Sequence, residues 1–192
     1  RGAIPGDVVD VQITRKRKSY AESRIIEFKE FSKDRVEPFC SHFNRCGGCK
    51  WQMLPYQKQL EYKHQQVIDQ FQRIGKIDVE NISKIVKAEK EVFYRNKLEY
   101  TFASRKWIEE NEPMLDKTGR KLEGLGFHVQ GMFDRIIDIE KCYLQEEPSN
   151  LIRNKIREFT RADGYDYYNS YTHAGVMRNL IIRNTSLGEL MV

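Results

Sequence analysis

The chain has 192 residues, of which 40% are hydrophobic and 32% are charged, a composition typical of a soluble protein with one or two folded domains. Its apolar runs all fall short of a membrane-spanning helix, so the sequence predicts neither a membrane protein nor a membrane partner. The formal net charge of +5 is a mild excess of cations, which allows nucleic acid as a partner without identifying it.

The first predicted elements are two strands, Val8–Ile13 and Ala21–Phe28, introduced by the turn signal Pro5-Gly6-Asp7. A run of cations and a tyrosine lie between the strands, and the candidate phosphate-contacting residues there are Arg15, Lys16, Arg17, Lys18 and Tyr20. Four consecutive cations repel each other unless an anion or solvent screens them. The pattern therefore indicates either a small β-barrel whose loop contacts phosphate or a solvated hairpin turn.

Three of the four cysteines follow within ten residues: Cys40, Cys46 and Cys49. Thiolates spaced this closely reach one centre only if the backbone between them folds tightly. We expect Gly47 and Gly48 to allow this through positive φ angles, with backbone N–H groups turned inward to sulfur. Cys142 lies far downstream and would connect a distant strand to the loop.

The cysteines allow several interpretations. They can be reduced thiols without a ligand, a structural zinc site or the ligands of an iron–sulfur cluster. The spacing favours a cluster, because zinc sites usually consist of paired CxxC motifs and this chain has one CxxC with two single cysteines. Disulfides are disfavoured, because nothing at the N-terminus resembles a signal peptide.

An amphipathic helix is predicted within residues 50–75. Pro55 suits the first helical position, and apolar residues from Leu60 to Ile74 recur at helical spacing. Gly75 is the predicted C-cap. His64 lies on the apolar stripe, where we expect a packed histidine and not a ligand.

The remainder predicts antiparallel strands and a second helix. Leu98, Tyr100 and Phe102 alternate with polar residues, which is typical of a half-buried strand. The other predicted elements are a loop at Asn111–Arg120, strands at Gly126–His128 and Ile136–Ile139 with a turn at Gln130-Gly131, a helix from Ser149 that ends near Gly164, and a hairpin of Leu180–Ile182 with Leu190–Val192. Since both chain ends run directly into strand patterns, we expect the chain to be part of a longer protein.

Four parts of the sequence together carry a resemblance to a family: Cys40–Gln52, Tyr94–Lys97, Gly126-Phe127 and Cys142. They resemble the RNA uracil-5-methyltransferases, in particular the cluster-bearing bacterial branch that acts on 23S ribosomal RNA. The stretch before Cys40 is similar to the TRAM domain of that family, a small RNA-binding β-barrel.

The resemblance implies an α+β, β-rich fold. Residues 1–37 would form an N-terminally truncated TRAM/OB-like β-barrel. Residues 38–192 would form a C-terminally truncated central domain of mixed α/β type, with antiparallel strands around an iron–sulfur site. We also expect a cytoplasmic enzyme that is monomeric in its full-length form, and the resemblance implies no protein partner.

The family further implies a [4Fe-4S] cluster, and its ligands match Cys40, Cys46, Cys49 and Cys142. It uses S-adenosylmethionine and a catalytic cysteine that attacks C6 of a flipped uracil. Further candidate RNA contacts are Arg45, Lys50, Arg95 and Lys97, although cations beside a cluster can equally balance its charge.

The sequence departs from the family in its chemistry. No Gly-rich strand-to-helix loop of the kind that binds the cofactor precedes Val192, and no cysteine remains for catalysis if all four bind the cluster. We therefore expect the chain alone to be inactive and to serve RNA recognition. A stand-alone zinc-binding RNA or DNA adaptor is the competing hypothesis. The run of cations at Arg15–Lys18, called the basic tip below, and the long mixed domain suit RNA better than the third hypothesis, an electron carrier.

Overall fold

The computed structural model describes residues 2–108 and 122–192. It is β-rich, with few helices and antiparallel sheets, and it divides into two compact units. The first unit comprises Arg1–Phe39 and Trp51–Glu89, and the second comprises Cys40–Lys50 and Lys90–Val192. Each unit is therefore discontinuous in sequence. The assignment of a TRAM-like domain to residues 1–37 and of a central domain to residues 38–192 stays a prediction.

The first unit opens with the predicted hairpin. Strand β1 (Val8–Lys16) pairs antiparallel with β2 (Ala21–Glu30), and the N–H of Arg17 donates to the carbonyl of Tyr20 at 2.8 Å to close the tip. The register shifts at three places along the pair, which adds local twist. The hairpin is confirmed, whereas the β-barrel around it stays a prediction.

Asp7 fixes the base of this hairpin. Its carboxylate accepts the N–H groups of Ile4 and Ser32 at 2.7 and 2.8 Å and forms an ion pair with Arg35. The Arg35 guanidinium also lies over the ring of Phe28, 5.3 Å from its centroid. The turn signal at Asp7 therefore acts through its side chain as well as its backbone.

The predicted amphipathic helix is present, but its ends differ from the prediction. Helix α1 spans Tyr56–Gln70, so it begins six residues after residue 50, and Pro55 is its N-cap and not its first helical residue. A π-helical turn, Phe71–Gly75, follows it. Because a π-turn holds more residues than an α-turn, the left-handed cap position falls on Lys76, with φ 54°, and not on Gly75.

The second unit contains a five-stranded antiparallel sheet of order β5-β4-β3-β6-β7. Its strands are β3 (Lys97–Ala103), β4 (Gly124–His128), β5 (Ile136–Asp138), β6 (Asn179–Asn184) and β7 (Leu190–Met191). All the strands predicted in this region are confirmed. The predicted loop at 111–120 lies outside the described residues.

One face of this sheet forms the core. Leu98, Tyr100 and Phe102 point into it from β3, and Leu180 and Ile182 point into it from β6. Helix α2 (Ser149–Ala162) contacts the same face, because Ser149 Oγ lies 3.5 Å from the hydroxyl of Tyr100. The helix ends as predicted, with Gly164 at φ 70°.

Within the two described stretches, neither helix has the length and apolar character that crossing a membrane requires.

Candidate functional site

The loop that carries three cysteines is built from consecutive tight turns. The N–H of Phe43 donates to the carbonyl of Cys40 at 3.0 Å, and the N–H of Cys46 donates to the carbonyl of His42 at 2.9 Å. Asn44, between them, adopts a left-handed conformation with φ 70°. Asparagine tolerates this region better than most residues. The positive φ angles predicted for Gly47 and Gly48 are therefore wrong, because Asn44 makes the reversal.

The glycines have other roles in this loop. Cys46 forms an antiparallel bridge with Val129, directly after β4, and the N–H of Gly47 donates to the carbonyl of His128 at 3.0 Å. A Cβ on Gly47 would lie 3.0 Å from that carbonyl oxygen, so a larger residue would push the loop away from β4. The N–H of Gly48 turns back to Cys46 Sγ at 3.4 Å, which confirms the predicted N–H to sulfur contact.

Cys142 is buried, and α2 holds its backbone. The side chain of Asn150 accepts the N–H of Cys142 at 2.7 Å and donates to the carbonyl of Cys142 at 3.1 Å. Two residues earlier along the chain, the carbonyl of Glu140 accepts from Arg153 and from Asn154. The helix therefore fixes the cysteine through its polar face.

Arg153 is a fully buried cation beside this cysteine. Its guanidinium donates to the carbonyl of Ile139 at 3.0 Å and to Asn150 Oδ1 at 2.9 Å, and it lies 5.0 Å from the ring centroid of Tyr100. Among the described residues, no carboxylate forms a salt bridge with Arg153. A buried charge without a counter-ion is costly, so this arginine is suited to an anionic group nearby.

Sequence reasoning missed this polar face of α2. It traced the helix through the apolar residues Leu151, Ile152, Ile156 and Phe159. Leu151 and Phe159 are exposed, whereas Ile152 and Ile156 are partly buried against the core. The buried polar residues of the helix are Ser149, Asn150, Arg153 and Thr160. Their helical spacing is the one sequence signal that could have identified them.

The four cysteine side chains affect one another electrostatically. Burial raises the pKa of Cys46 to about 11 against the opposing effect of the Gly48 N–H, and the thiolates of the other three cysteines raise it further. Burial also raises the pKa of Cys142, opposed by the Leu144 N–H and by the charge of Arg153. All four cysteines are in the described part of the chain, and none is in a disulfide. The structure thus places the predicted ligands within electrostatic range of each other.

The described residues show no preformed metal site. Within residues 2–108 and 122–192, no group of three or more His, Cys, Asp or Glu side chains is arranged so that it could hold a metal ion. Metal ligation by Cys40, Cys46, Cys49 and Cys142 therefore stays a prediction.

The Tyr94–Lys97 motif lies along the chain that follows Cys142. The N–H of Phe93 donates to the carbonyl of Tyr143 at 2.7 Å, and the N–H of Arg95 donates to the carbonyl of Leu144 at 2.8 Å. Lys97 forms an ion pair with Glu99 at 3.3 Å. The structure thus brings two sequence motifs together that are almost 50 residues apart.

The basic tip lies in the first unit, at the turn between β1 and β2. Arg15 and Lys16 end β1, Arg17 and Lys18 form the turn, and Tyr20 precedes β2. All five side chains are exposed. In the part of the chain that the structure describes, none of the four cations forms a salt bridge. They are available to an anionic partner.

The chain is similar to uncharacterized RNA methyltransferases. One from Bacteroides thetaiotaomicron is 49% identical over 189 residues, which cover 98% of this chain and 42% of that protein. One from Porphyromonas gingivalis is 44% identical, covering 99% of this chain and 42% of that protein. The chain thus spans about two fifths of the length of these curated relatives. No family model matches it.

A solved structure shares the fold. The tRNA (uracil-54, C5)-methyltransferase of Pyrococcus abyssi, in complex with S-adenosyl-L-homocysteine, superposes with a TM-score of 0.61 and 22% identity. The match covers 98% of this chain and 39% of that one. The β-rich architecture predicted from the resemblance is therefore confirmed at the level of the fold.

The structure brings the sequence-predicted site residues together in two groups. The second unit contains the four cysteines, with the exposed Arg45 and Lys50 on the cysteine loop and Arg95 and Lys97 on the segment beside Cys142. The first unit contains the basic tip. Contact of these cations with RNA stays a prediction.

Proposed function

We propose that the chain is the RNA-recognition portion of a cytoplasmic, S-adenosylmethionine-dependent methyltransferase that makes 5-methyluridine in 23S ribosomal RNA. The observation that carries this proposal is its alignment, over nearly its whole length, with proteins named RNA methyltransferases. The solved structure of similar fold is a uracil C5-methyltransferase with S-adenosyl-L-homocysteine bound. It supports the choice of uracil C5 as the methylated atom and of S-adenosylmethionine as the methyl donor in this proposal.

The chemistry belongs to the part of such a protein that this chain does not cover. Methyl transfer to uracil C5 needs a nucleophile for C6, a base for the C5 proton and a pocket for S-adenosylmethionine. The aligned region is 42% of the relatives, and we assign these three elements to the remainder. The role of this chain is to hold the RNA so that the target uridine can leave its stack.

The first unit contributes phosphate contacts in this proposal. Its four tip cations are exposed and lack salt bridges to the described carboxylates, so binding phosphate breaks no ion pair. The adjacent Tyr20 offers an exposed ring to a base or ribose. A TRAM-like barrel around this hairpin is part of the proposal.

We also propose that Cys40, Cys46, Cys49 and Cys142 hold a [4Fe-4S] cluster. The spacing of the four cysteines, one CxxC with two single cysteines, suits a cluster better than the paired CxxC motifs that are usual in zinc sites. When bound, the cluster would supply a cross-link between the cysteine loop and the Cys142 segment.

Two features of the chain suit an anionic centre at these cysteines. Backbone N–H groups point at sulfur, from Gly48 to Cys46 and from Leu144 to Cys142. The buried charge of Arg153 opposes the rise in the Cys142 pKa, so it favours the thiolate form that a metal centre needs.

The test combines binding with methyl transfer. We expect the chain to bind a 23S ribosomal RNA transcript in a low-salt filter assay, more tightly than a tRNA of equal concentration. It should transfer no label from radioactive S-adenosylmethionine to either RNA. Label above a no-protein blank would contradict the assignment of the methyl-transfer chemistry to the rest of the protein. Absence of RNA binding would contradict the recognition role. Tighter binding to tRNA would refute 23S specificity.

A further inference from the structure

The five-stranded sheet has a second face, on which a groove of about 320 Å³ opens. Helix α2 contacts the face that carries Tyr100, whereas the groove is lined by the alternate residues of β3, Glu99 and Thr101. Asn179 and Ile181 of β6 are exposed on the same side. An antiparallel sheet that packs on one face leaves the other for ligands.

Phe133 and Tyr168 contribute the accessible Phe and Tyr rings that line this groove. Phe133 is 67% exposed, with its ring centroid 5.8 Å from that of Tyr171, which is 57% exposed. Tyr168, on another part of the lining, has the guanidinium of Arg178 over its ring at 4.3 Å. Exposed rings of this size next to arginine are stacking surfaces for planar ligands.

The loop that carries the tyrosines is held in a defined conformation. Its ends pair through the bridges Tyr167–Met177 and Asn169–Ala174. Gly175 has φ 118°, and a Cβ there would lie 2.6 Å from the carbonyl oxygen of Tyr167, so the close return of the chain requires glycine. A ligand that stacks on this loop finds the rings already placed.

Asp134, another lining residue, orients Tyr171. Its Oδ2 accepts the hydroxyl of Tyr171 at 3.0 Å and the guanidinium of Arg105 at 3.4 Å. Arg105 in turn lies over the ring of Tyr171, 5.4 Å from its centroid. The carboxylate and the cation thus orient the Tyr171 ring beside Phe133.

The polar lining selects for a ligand that donates hydrogen bonds. Glu99 is oriented by Asn179 at 3.0 Å and by Lys97 at 3.3 Å, and a carboxylate oxygen can accept further bonds. A flat ring with an amino group meets both the aromatic and the acceptor surfaces.

We propose that this groove binds one unpaired RNA nucleobase with an exocyclic amino group, stacked on Phe133 or Tyr168 with its amino group directed to Glu99 or Asp134. The proposal rests on the RNA-recognition function proposed above and adds a site for a single base to it. Uracil lacks the amino group, so the site is distinct from one for the methylated base.

The direct test uses a single-stranded RNA pentamer with 2-aminopurine at its centre, because this base carries an amino group and loses fluorescence when it stacks. We expect the chain to quench the probe, and Phe133→Ala and Tyr168→Ala to weaken pentamer binding about tenfold each. The matched control is Phe159→Ala, which removes an exposed ring from α2, away from the groove lining. Unchanged thermal unfolding of each variant shows that the fold is retained.

A second comparison tests the amino group. Oligo-A should bind more tightly than oligo-U, and Glu99→Ala should reduce that difference. Equal affinity of the wild type for the two oligomers, or quenching unchanged in both aromatic variants, would overturn this site. If the wild type still bound 23S ribosomal RNA in that case, the recognition function would stand. Failure of the wild type to bind any RNA would overturn the recognition function itself.

Discussion

Replacing Asn150 with alanine should destabilise the second unit through the backbone of Cys142. The side chain makes two hydrogen bonds to that residue, at 2.7 and 3.1 Å, and both are buried. Alanine leaves one N–H and one carbonyl without these partners, and each such buried group costs about 1–3 kcal/mol. We therefore expect a loss of about 2–6 kcal/mol, or roughly 4–24 °C in Tm for a chain of this size.

The measurement is urea unfolding followed by tryptophan fluorescence. The chain has two tryptophans, and Trp107 packs against the core of the second unit whereas Trp51 lies in the first. A Trp51→Phe background leaves Trp107 as the reporter of the second unit. The midpoint should fall in Asn150→Ala while the slope with urea stays constant.

Asn154→Ala is the matched control for this variant. Asn154 lies on the same helix and donates to the carbonyl of Glu140 at 3.1 Å in an exposed bond, and its Oδ1 accepts from Arg153 and Arg157 at 3.3 and 3.2 Å in partly buried bonds. Water can replace these less buried partners, so the variant should lose less stability than Asn150→Ala. Equal losses for the two variants, or a loss below about 1 kcal/mol for Asn150→Ala, would show that Asn150 does not anchor Cys142.

Three further predictions concern charge and metal. Burial raises the pKa of Asp138, but the Leu125 N–H and the guanidiniums of Arg161 and Arg157 outweigh it and hold the pKa below its ordinary value. Its contribution to stability is therefore complete above the unfolded pKa of about 3.9 and is lost as pH falls through the lower folded pKa, so Asp138→Asn should flatten acid unfolding between about pH 5 and 2. Replacing all four cations of the basic tip with alanine should weaken binding of the chain to all RNAs alike; the residues replaced are Arg15, Lys16, Arg17 and Lys18. The slope of log K against log salt concentration should fall in magnitude by roughly 3, whereas an unchanged slope would show that the turn is only solvated. Anaerobically purified protein should be brown and contain iron, and Cys142→Ser should lose most of it; colourless protein with one zinc per chain would support the adaptor hypothesis instead.

The strands could be predicted because a strand that is buried on one side has apolar residues at every second position. Leu98, Tyr100 and Phe102 alternate with polar residues, and the sheet buries these three positions. The turn at Gly131 and the end of α2 at Gly164 were also predictable, because both glycines adopt positive φ angles that other residues disfavour.

The parts that sequence reasoning missed depend on partners distant in sequence. Asn150 and Arg153 look like solvated positions of a helix, and only the carbonyls of residues 139–142 explain why they are buried. Gly47 is explained by the carbonyl of His128, about 80 residues away, and not by its own φ angle. Such positions follow from tertiary packing, which neither propensity nor spacing reports.

The arrangement of these anchors bears on what a metal centre would add. The Cys142 segment is held from two sides, by Asn150 of α2 and by the backbone bonds of Phe93 and Arg95. The cysteine loop is held at Cys46, which forms an antiparallel backbone bridge with Val129 directly after β4. Because hydrogen bonds already hold both segments within the same unit, a cluster would join two pieces that are anchored separately.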